Sequence, residues 1–442
     1  MSPVRLRLLA WVAMAALLLA PPPLAAQSPD EAVTALVQEV FTRLRDDALA
    51  AADGPSLLRA AVSGVQQVLL GTSAVPMVPV LSGIEDEDLR AVAMYVEAAV
   101  KAAPGRSEFV LSSALRAMVR SVADPVSAVF TPAELGRYMA DLRGEHGTIG
   151  MQVDTIGNAI NVVEVVDGGP AVRAGIRVGD HILEIDGTSI DFHSPDAVLS
   201  LLRGRLGSPV LITIRRGSSQ PQRLSVIREQ VREIPIRARM LEARVGYLRL
   251  LGFTERAHED LARWLLRLNE QDARALVLDL RENGGGLVEE AVNVASAFLP
   301  QGVVAVEEGR RGQVTLIVRP AAHRFAGPVV VLVNRGTASA SEIVAGALQD
   351  AGVSLVGGRT FGKGTVQTVY FLQAGWGLRI TTARYRTRAG RAIDGTGLTP
   401  DVPVVQAVNQ VQGPGDTQLE IARVLARRRL ESTGQRATGR RW

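Results

Sequence analysis

The chain has 442 residues, 47% of them hydrophobic, which is enough for two or three domains with large cores and excludes wholesale disorder. The formal net charge is +4, with acids interspersed among the arginines, which speaks against a nucleic-acid surface. Cysteine is absent, so disulfides, thiolate nucleophiles, cysteine zinc sites and a lipid-modified cysteine anchor are excluded. The histidines, His146, His181, His193, His258 and His323, form no HExxH pair, and no metal site is expected.

In chain order, MSPVRLRLLAWVAMAALLLAPPPLAAQS places Arg5 and Arg7 before a short apolar run, Leu8 to Ala20, then the small residues Ala25 and Ala26. This pattern predicts a secretory signal peptide over residues 1–26 and a periplasmic or secreted mature chain; an uncleaved anchor is the alternative and the one expected route to a membrane. Residues 28–142 read as a helical region. Ser28 can cap, Pro29 suits a first turn, and Val33, Leu36, Val37, Val40, Phe41 and Leu44 recur at helical spacing. Glu85 to Ala102 and Ser107 to Ser121 continue the pattern. Residues 143–230 change to short apolar or alternating runs with glycine turns, such as AINVVEVV, HILEIDGTSI and PVLITIRRG, interrupted by short helices at Pro170 to Ala174 and Pro195 to Arg203. That texture predicts a small closed β domain. Residues 231–405 read as α/β. VGYLRLLGF, ALVLDLREN and PVVVLVNRG are apolar on both faces, and helices are expected at His258 to Asn269, Leu287 to Leu299 and Ala340 to Gln349, so a helix-covered sheet is predicted. Residues 406–442 read as a helical, arginine-rich tail.

Among 49 lysines plus arginines there are only two lysines, Lys101 and Lys363. Lys101 ends a polar helix. Lys363 stands between glycines in FGKGT, and an arginine there could not lose its proton, whereas a desolvated lysine can. The position therefore points to a neutral amine acting as base or nucleophile. GGRTFGKG, Gly357 to Gly364, nearly matches a phosphate loop, but Gly364 stands where a hydroxyl is needed and TVQTVYF alternates like a strand rather than opening a helix. A hydroxyl partner lies upstream in VNRGTASASEIVAGALQD. Ser339 sits where a turn becomes a helix, with the Ala340 amide free to bind an oxyanion. Ser339-x-x-Glu342 also fits a capping box, which capping alone would explain, and Ser341 is a second candidate nucleophile. LDLRENGGGL can present backbone amides through Gly285 or Gly286, with Asp279 and Arg281 as a structural ion pair. GTIGM, with Thr148, Ile149, Gly150 and Met151, can turn amides toward a terminal carboxylate, and the strand beyond can add a peptide against helix Pro195 to Arg203.

These pieces, in this order, resemble the carboxyl-terminal processing protease family, tail-specific serine peptidases with an inserted PDZ domain. The resemblance is carried by DPVSAVFTPAEL, GTIGM, PAVRAGIRVGDHILEIDG, DLRENGGG, GTASASEIVAGALQD, RTFGKGTVQ and TTARYRTRAGRAIDGTGLTPD, roughly Asp124 to Val402. TRAG replaces the family's Thr-Pro-x-Gly turn, and the helical region before Asp124 lies outside the match. The resemblance implies a multi-domain α+β fold: a helical N-terminal region, an inserted PDZ β domain and an α/β serine-protease core. It implies Ser339 as nucleophile, Lys363 as general base, Gln367 hydrogen-bonding the lysine, and an oxyanion hole from Ala340 and the Gly285–Gly286 region. No cofactor is expected. Protein or peptide C-termini are the expected partners, with a regulatory adaptor and a homo-oligomer as further candidates. A catalytically inactive PDZ scaffold is the alternative.

Overall fold

The structure, a computed structural model, describes residues 29–438 except 71–75, 144, 157–158, 167, 191–194, 233–234, 407–410 and 412–414. The predicted signal peptide, Ser28, His193, Arg440 and Arg441 lie outside the described residues. The chain forms two compact units. One holds the described residues to 46, then 52–123 and 371–376; the other holds 47–51, 124–370 and 377–438.

In the helical unit, Pro29–Asp47, Gly54–Leu69, Glu85–Ala102 and Ser107–Ser121 are helices. Leu36, Val37, Val40, Phe41 and Leu44, which recur at helical spacing, are all buried. Asp53 caps Gly54–Leu69 by accepting the Ser56 amide at 2.9 Å. No helix among the described residues is long and apolar enough to cross a membrane.

The second unit is built on a six-stranded sheet in the order Ile236–Met240, Val245–Leu250, Ala275–Asp279, Val329–Val333, Ser354–Gly357, Val402–Pro403. Its first pair is antiparallel and every later pair parallel. Val245–Leu250, Ala275–Asp279 and Val329–Val333 are buried at every position, because the sheet is covered on both faces. Leu276, Leu278, Val331 and Val333 pack into one core with helices Ala257–Glu270, Val288–Ser296 and Ala340–Asp350. Their neighbours Ala275, Val277, Val330 and Leu332 pack the other way, with Ala422 and Ala426 of the C-terminal helix Thr417–Thr438. The two-residue strand period sorts the side chains between these cores. Three neighbouring parallel strands, ending at Asp279, Val333 and Gly357, deliver the glycine loop, the serine turn and the lysine loop to one edge of the sheet. That is where open parallel sheets place ligands.

A second sheet runs Ala128–Phe130, Gly377–Thr387, Val303–Gly309, Gly312–Ile317, with Thr365–Phe371 also paired to Gly377–Thr387. The small β region has the antiparallel order Met151–Ile156, Ala159–Val165, His181–Ile185, Pro209–Arg215, Gln222–Ile227 around a core of Ile149, Val153, Ile182, Val198 and Ile212. The sequence predicts a closed β domain, but among the described residues the strand order runs from end to end without closing. Met151–Ile156 is its end strand, paired among the described residues with Ala159–Val165, and helix Pro195–Leu202 packs against it. Glu145–Thr148 pairs instead with Glu229–Arg232, a separate ribbon where the chain enters and leaves.

Candidate active site

The serine turn connects strand Val329–Val333 to helix Ala340–Asp350. Asn334 organises it: its Oδ1 accepts the Glu282 and Gly336 amides at 3.1 and 3.0 Å, and its Nδ2 donates to Glu282 Oε1 at 2.8 Å. Thr337 Oγ1 donates to the Leu280 carbonyl at 2.8 Å, and the Ala338 amide to the Asn283 carbonyl at 3.0 Å. These bonds sew the turn to the glycine loop. They hold half-buried Ser339 at φ 56° and ψ −120°, a conformation a non-glycine residue rarely adopts and which costs on the order of 1–3 kcal/mol. Ser341, the other candidate, is fully buried and its Oγ donates to the Asn283 carbonyl at 2.9 Å.

In the glycine loop, Arg281 is fully buried. It donates to Asp279 at 2.9 and 2.7 Å and to Asp416 at 2.8 Å twice, while the Tyr247 hydroxyl donates to Asp279 at 2.7 Å. Burial opposes the guanidinium charge, but the two carboxylates outweigh it and raise the arginine pKa further above its ordinary value. The expected Asp279–Arg281 pair is thus one part of a network that reaches the C-terminal helix. Beyond it, Gly285 packs so closely that an added Cβ would lie 2.8 Å from the Ser339 Cβ and 2.9 Å from the Ala340 nitrogen. The Gly285 amide is engaged, donating to Asn283 Oδ1 at 2.9 Å. The amides of Gly286 and Ala340 donate to no acceptor among the described residues.

The lysine loop joins strands Ser354–Gly357 and Thr365–Phe371. One carboxylate holds it. Fully buried Glu342 accepts the Thr360 hydroxyl at 2.5 Å, the Gly362 amide at 2.8 Å and the Lys363 amide at 2.9 Å, and on the same side chain the Ser339 amide at 3.0 Å. The Phe361 amide adds a bond to the Thr337 carbonyl at 2.9 Å. Glu342 therefore does more than cap a helix: it ties the serine turn to the lysine loop. Its side chain could be foreseen as the third helical residue after Ser339, but its other three donors lie 18 to 21 residues further on. A Cβ at Gly364 would meet the Asp394 nitrogen at 2.2 Å. With no room for a side chain there, and a strand following, the phosphate-loop alternative has no structural basis.

The Lys363 side chain is half-buried. Burial pushes its pKa below the ordinary lysine value, and the Arg379 charge lowers it further. Among the described residues no hydrogen bond joins the Lys363 amine to Ser339 Oγ or to Gln367. The Gln367 amide instead turns along its own sheet, donating to the Thr365 and Thr381 hydroxyls at 2.8 and 3.4 Å. In GTIGM, the carbonyls of Gly147, Ile149 and Gly150 accept the amides of Gly204, Ala171 and Val166 at 2.8, 2.9 and 2.8 Å. This shapes Thr148–Met151 beside the end strand, and Gly150 takes a positive φ of 73°. A cavity lined by Asp47, Glu307, Arg311, Thr368, Tyr370 and Thr382 includes none of these residues.

Comparison with known proteins matches residues 244–404 to the profile of peptidase family S41 and residues 162–216 to that of the PDZ domain. The chain is similar to the carboxy-terminal-processing protease of Bartonella bacilliformis, with 37% identity over 67% of this chain and 70% of that one. It is also similar to the carboxyl-terminal-processing protease of Synechocystis sp., with 33% identity over 70% and 75%. Among solved structures, a lipoprotein from Streptococcus agalactiae shares the fold with a TM-score of 0.50 over 92% of this chain and all of that one, at 12% identity.

Proposed function

Given that the chain belongs to the carboxyl-terminal processing proteases of peptidase family S41, serine-type peptidases that carry a PDZ domain, we propose that it is a cell-envelope endopeptidase that grips substrate C-termini and cleaves with Ser339 and Lys363. The observation that carries this reading is the Glu342 clamp, which binds the main chain of both residues through one buried carboxylate. Lys363 in its neutral form takes the Ser339 hydroxyl proton, and Oγ attacks the scissile carbonyl. The Ala340 and Gly286 amides, free of protein acceptors among the described residues, receive the oxyanion. The lysine ammonium then protonates the departing amine, leaving an ester on Ser339. Water, deprotonated by the same lysine, hydrolyses that ester. The lysine amine and Ser339 hydroxyl make no bond in the resting geometry, so the amine swings onto the hydroxyl when substrate fills the site. The burial of Ser341 and its bond to the Asn283 carbonyl favour Ser339 over it as nucleophile.

Substrate C-termini dock at the amides of Ile149, Gly150 and Met151 and extend the sheet along Met151–Ile156, whose outer edge has no strand partner among the described residues. The signal peptide over residues 1–26 directs the chain to the envelope. The test is cleavage of a reporter ending in an apolar tail. Ser339→Ala should cost at least about 10³-fold in kcat while still capturing the tail; full activity in that variant would end the assignment.

A further inference from the structure

Helix Ala257–Glu270 has no side-chain cap at its N-cap residue, Arg256, which takes a left-handed φ of 66°, a strained conformation for a non-glycine residue. An acceptor comes instead from another helix. Glu290, buried in the first turn of Val288–Ser296, accepts the His258 main-chain amide at 3.0 Å and the His258 imidazole Nδ1 at 2.8 Å, both on Oε2. A carboxylate oxygen only accepts, which assigns the proton to Nδ1. Just upstream, the buried residue Phe253 pairs with the glycine loop. Its amide donates to the Gly285 carbonyl at 3.0 Å, and its carbonyl accepts the Leu287 amide at 2.8 Å. The approach is so close that a Cβ on Gly286 would lie 2.4 Å from the Phe253 oxygen. A ring is thereby completed. It runs from Phe253 to His258 along the chain, across to Glu290 through side chains, down the helix to Leu287, and back to Phe253 through the main chain. The Glu255 amide adds a further tie, donating to the Leu142 carbonyl at 3.1 Å.

The Gly285–Gly286 peptide is one plane, in which the carbonyl and the amide point in opposite directions. Holding the Gly285 carbonyl on the Phe253 amide therefore fixes the direction of the Gly286 N–H, which faces away from Phe253. The same loop is pressed against Ser339 and Ala340, where an added Gly285 Cβ would lie 2.8 Å from the Ser339 Cβ. We propose that His258 and Glu290 are positioning residues for the oxyanion hole: the bond between them braces the Phe253–His258 turn, and through the Phe253 main chain it aims the Gly286 N–H. The inference rests on reading the Gly286 amide as an oxyanion donor to chemistry at Ser339. The turn carries strain at Arg256, and a second anchor beyond it keeps that strain from being relieved by a shift of Phe253. Neither side chain has to touch substrate for this.

The test is kcat and KM on the tailed reporter for the wild type, His258→Ala and His258→Asn, with Tm monitored. Losing an oxyanion donor outright costs about 10²–10³ in kcat, and a misaimed one costs less, so His258→Ala should lower kcat roughly 10- to 30-fold with KM within about twofold of wild type. His258→Asn, whose Nδ2 donates in place of Nδ1, should recover kcat to within about threefold of wild type. Affinity for a peptidyl boronic acid, whose tetrahedral adduct on Ser339 presents an oxygen to the same amides, should fall in His258→Ala by a factor similar to that in kcat. Wild-type kcat in His258→Ala, a loss carried by KM alone, a loss that His258→Asn does not reduce, or an unchanged boronic acid affinity would overturn the proposal and leave Glu290 as a helix cap only. Should His258→Ala not fold, His258→Phe, which keeps a ring and removes the donor, is measured against the same expectations. Failure of the underlying reading looks different: Ser339→Ala would then keep full activity.

Discussion

The serine turn and the lysine loop share one carboxylate but are fixed in different ways. Ser339 is locked in a left-handed conformation, between a turn organised by Asn334 and Thr337 and a glycine loop pressed against its Cβ. Lys363 has an equally fixed main chain, but its amine is bound to neither Ser339 nor Gln367. The difference teaches that the backbone of the site is built in advance, whereas the proposed proton-transfer pair is left to be completed. Strain and close packing are concentrated at the proposed oxyanion site, and freedom is left at the proposed base.

Breaking the shared clamp should have the largest effect. Glu342→Ala leaves the Ser339, Gly362 and Lys363 amides and the Thr360 hydroxyl without their acceptor. Unmade buried bonds cost about 1–3 kcal/mol each, so thermal unfolding should occur many degrees lower and cleavage of the reporter should be abolished. A variant with wild-type Tm and kcat would show that the two loops hold their places independently.

Next is the anchor beneath the glycine loop. Asp416→Ala leaves the buried Arg281 guanidinium with one carboxylate instead of two. Removing one partner of a buried pair costs about 3–5 kcal/mol, readable in urea unfolding. Stability within about 1 kcal/mol of wild type would mean that Asp279 alone satisfies the arginine.

The smallest effect separates the neighbouring serines. Ser341→Ala removes one buried hydrogen bond and should cost about 1 kcal/mol of stability, with reporter cleavage within a few-fold of wild type. Loss of cleavage equal to that of Ser339→Ala would reverse their roles.

Much of this site was legible from the chain alone, for physical reasons that can be named. ALVLD and VVVLV are apolar at every position, which only a sheet covered on both faces explains, and such strands deliver their following loops to one edge. Lys363 stood out because nearly every other cation is arginine. What escaped depends on distant contacts. The further donors to Glu342 come from another loop. The Arg379 Nε donates to the Val126 carbonyl, a bond between residues some 250 positions apart. The hairpin Val303–Ile317 was not anticipated because its second strand, Gly312–Ile317, is largely solvent-facing and the EEGRRG turn reads only as charge. The open edge of the PDZ sheet was likewise hidden, since apolar alternation does not reveal which strand lies last.

The central claim is that the Lys363 amine must shed its proton to activate Ser339. Because burial and Arg379 lower its pKa below the ordinary lysine value, kcat/KM should rise with pH through that lowered value and level off above it. The most direct measurement is the pH profile of Lys363→Arg beside wild type, with Tm monitored for both. Turnover reduced by at least about 10³-fold at every pH with an unchanged Tm is the result expected when a base is removed; cleavage by the arginine variant near the wild-type rate would contradict it.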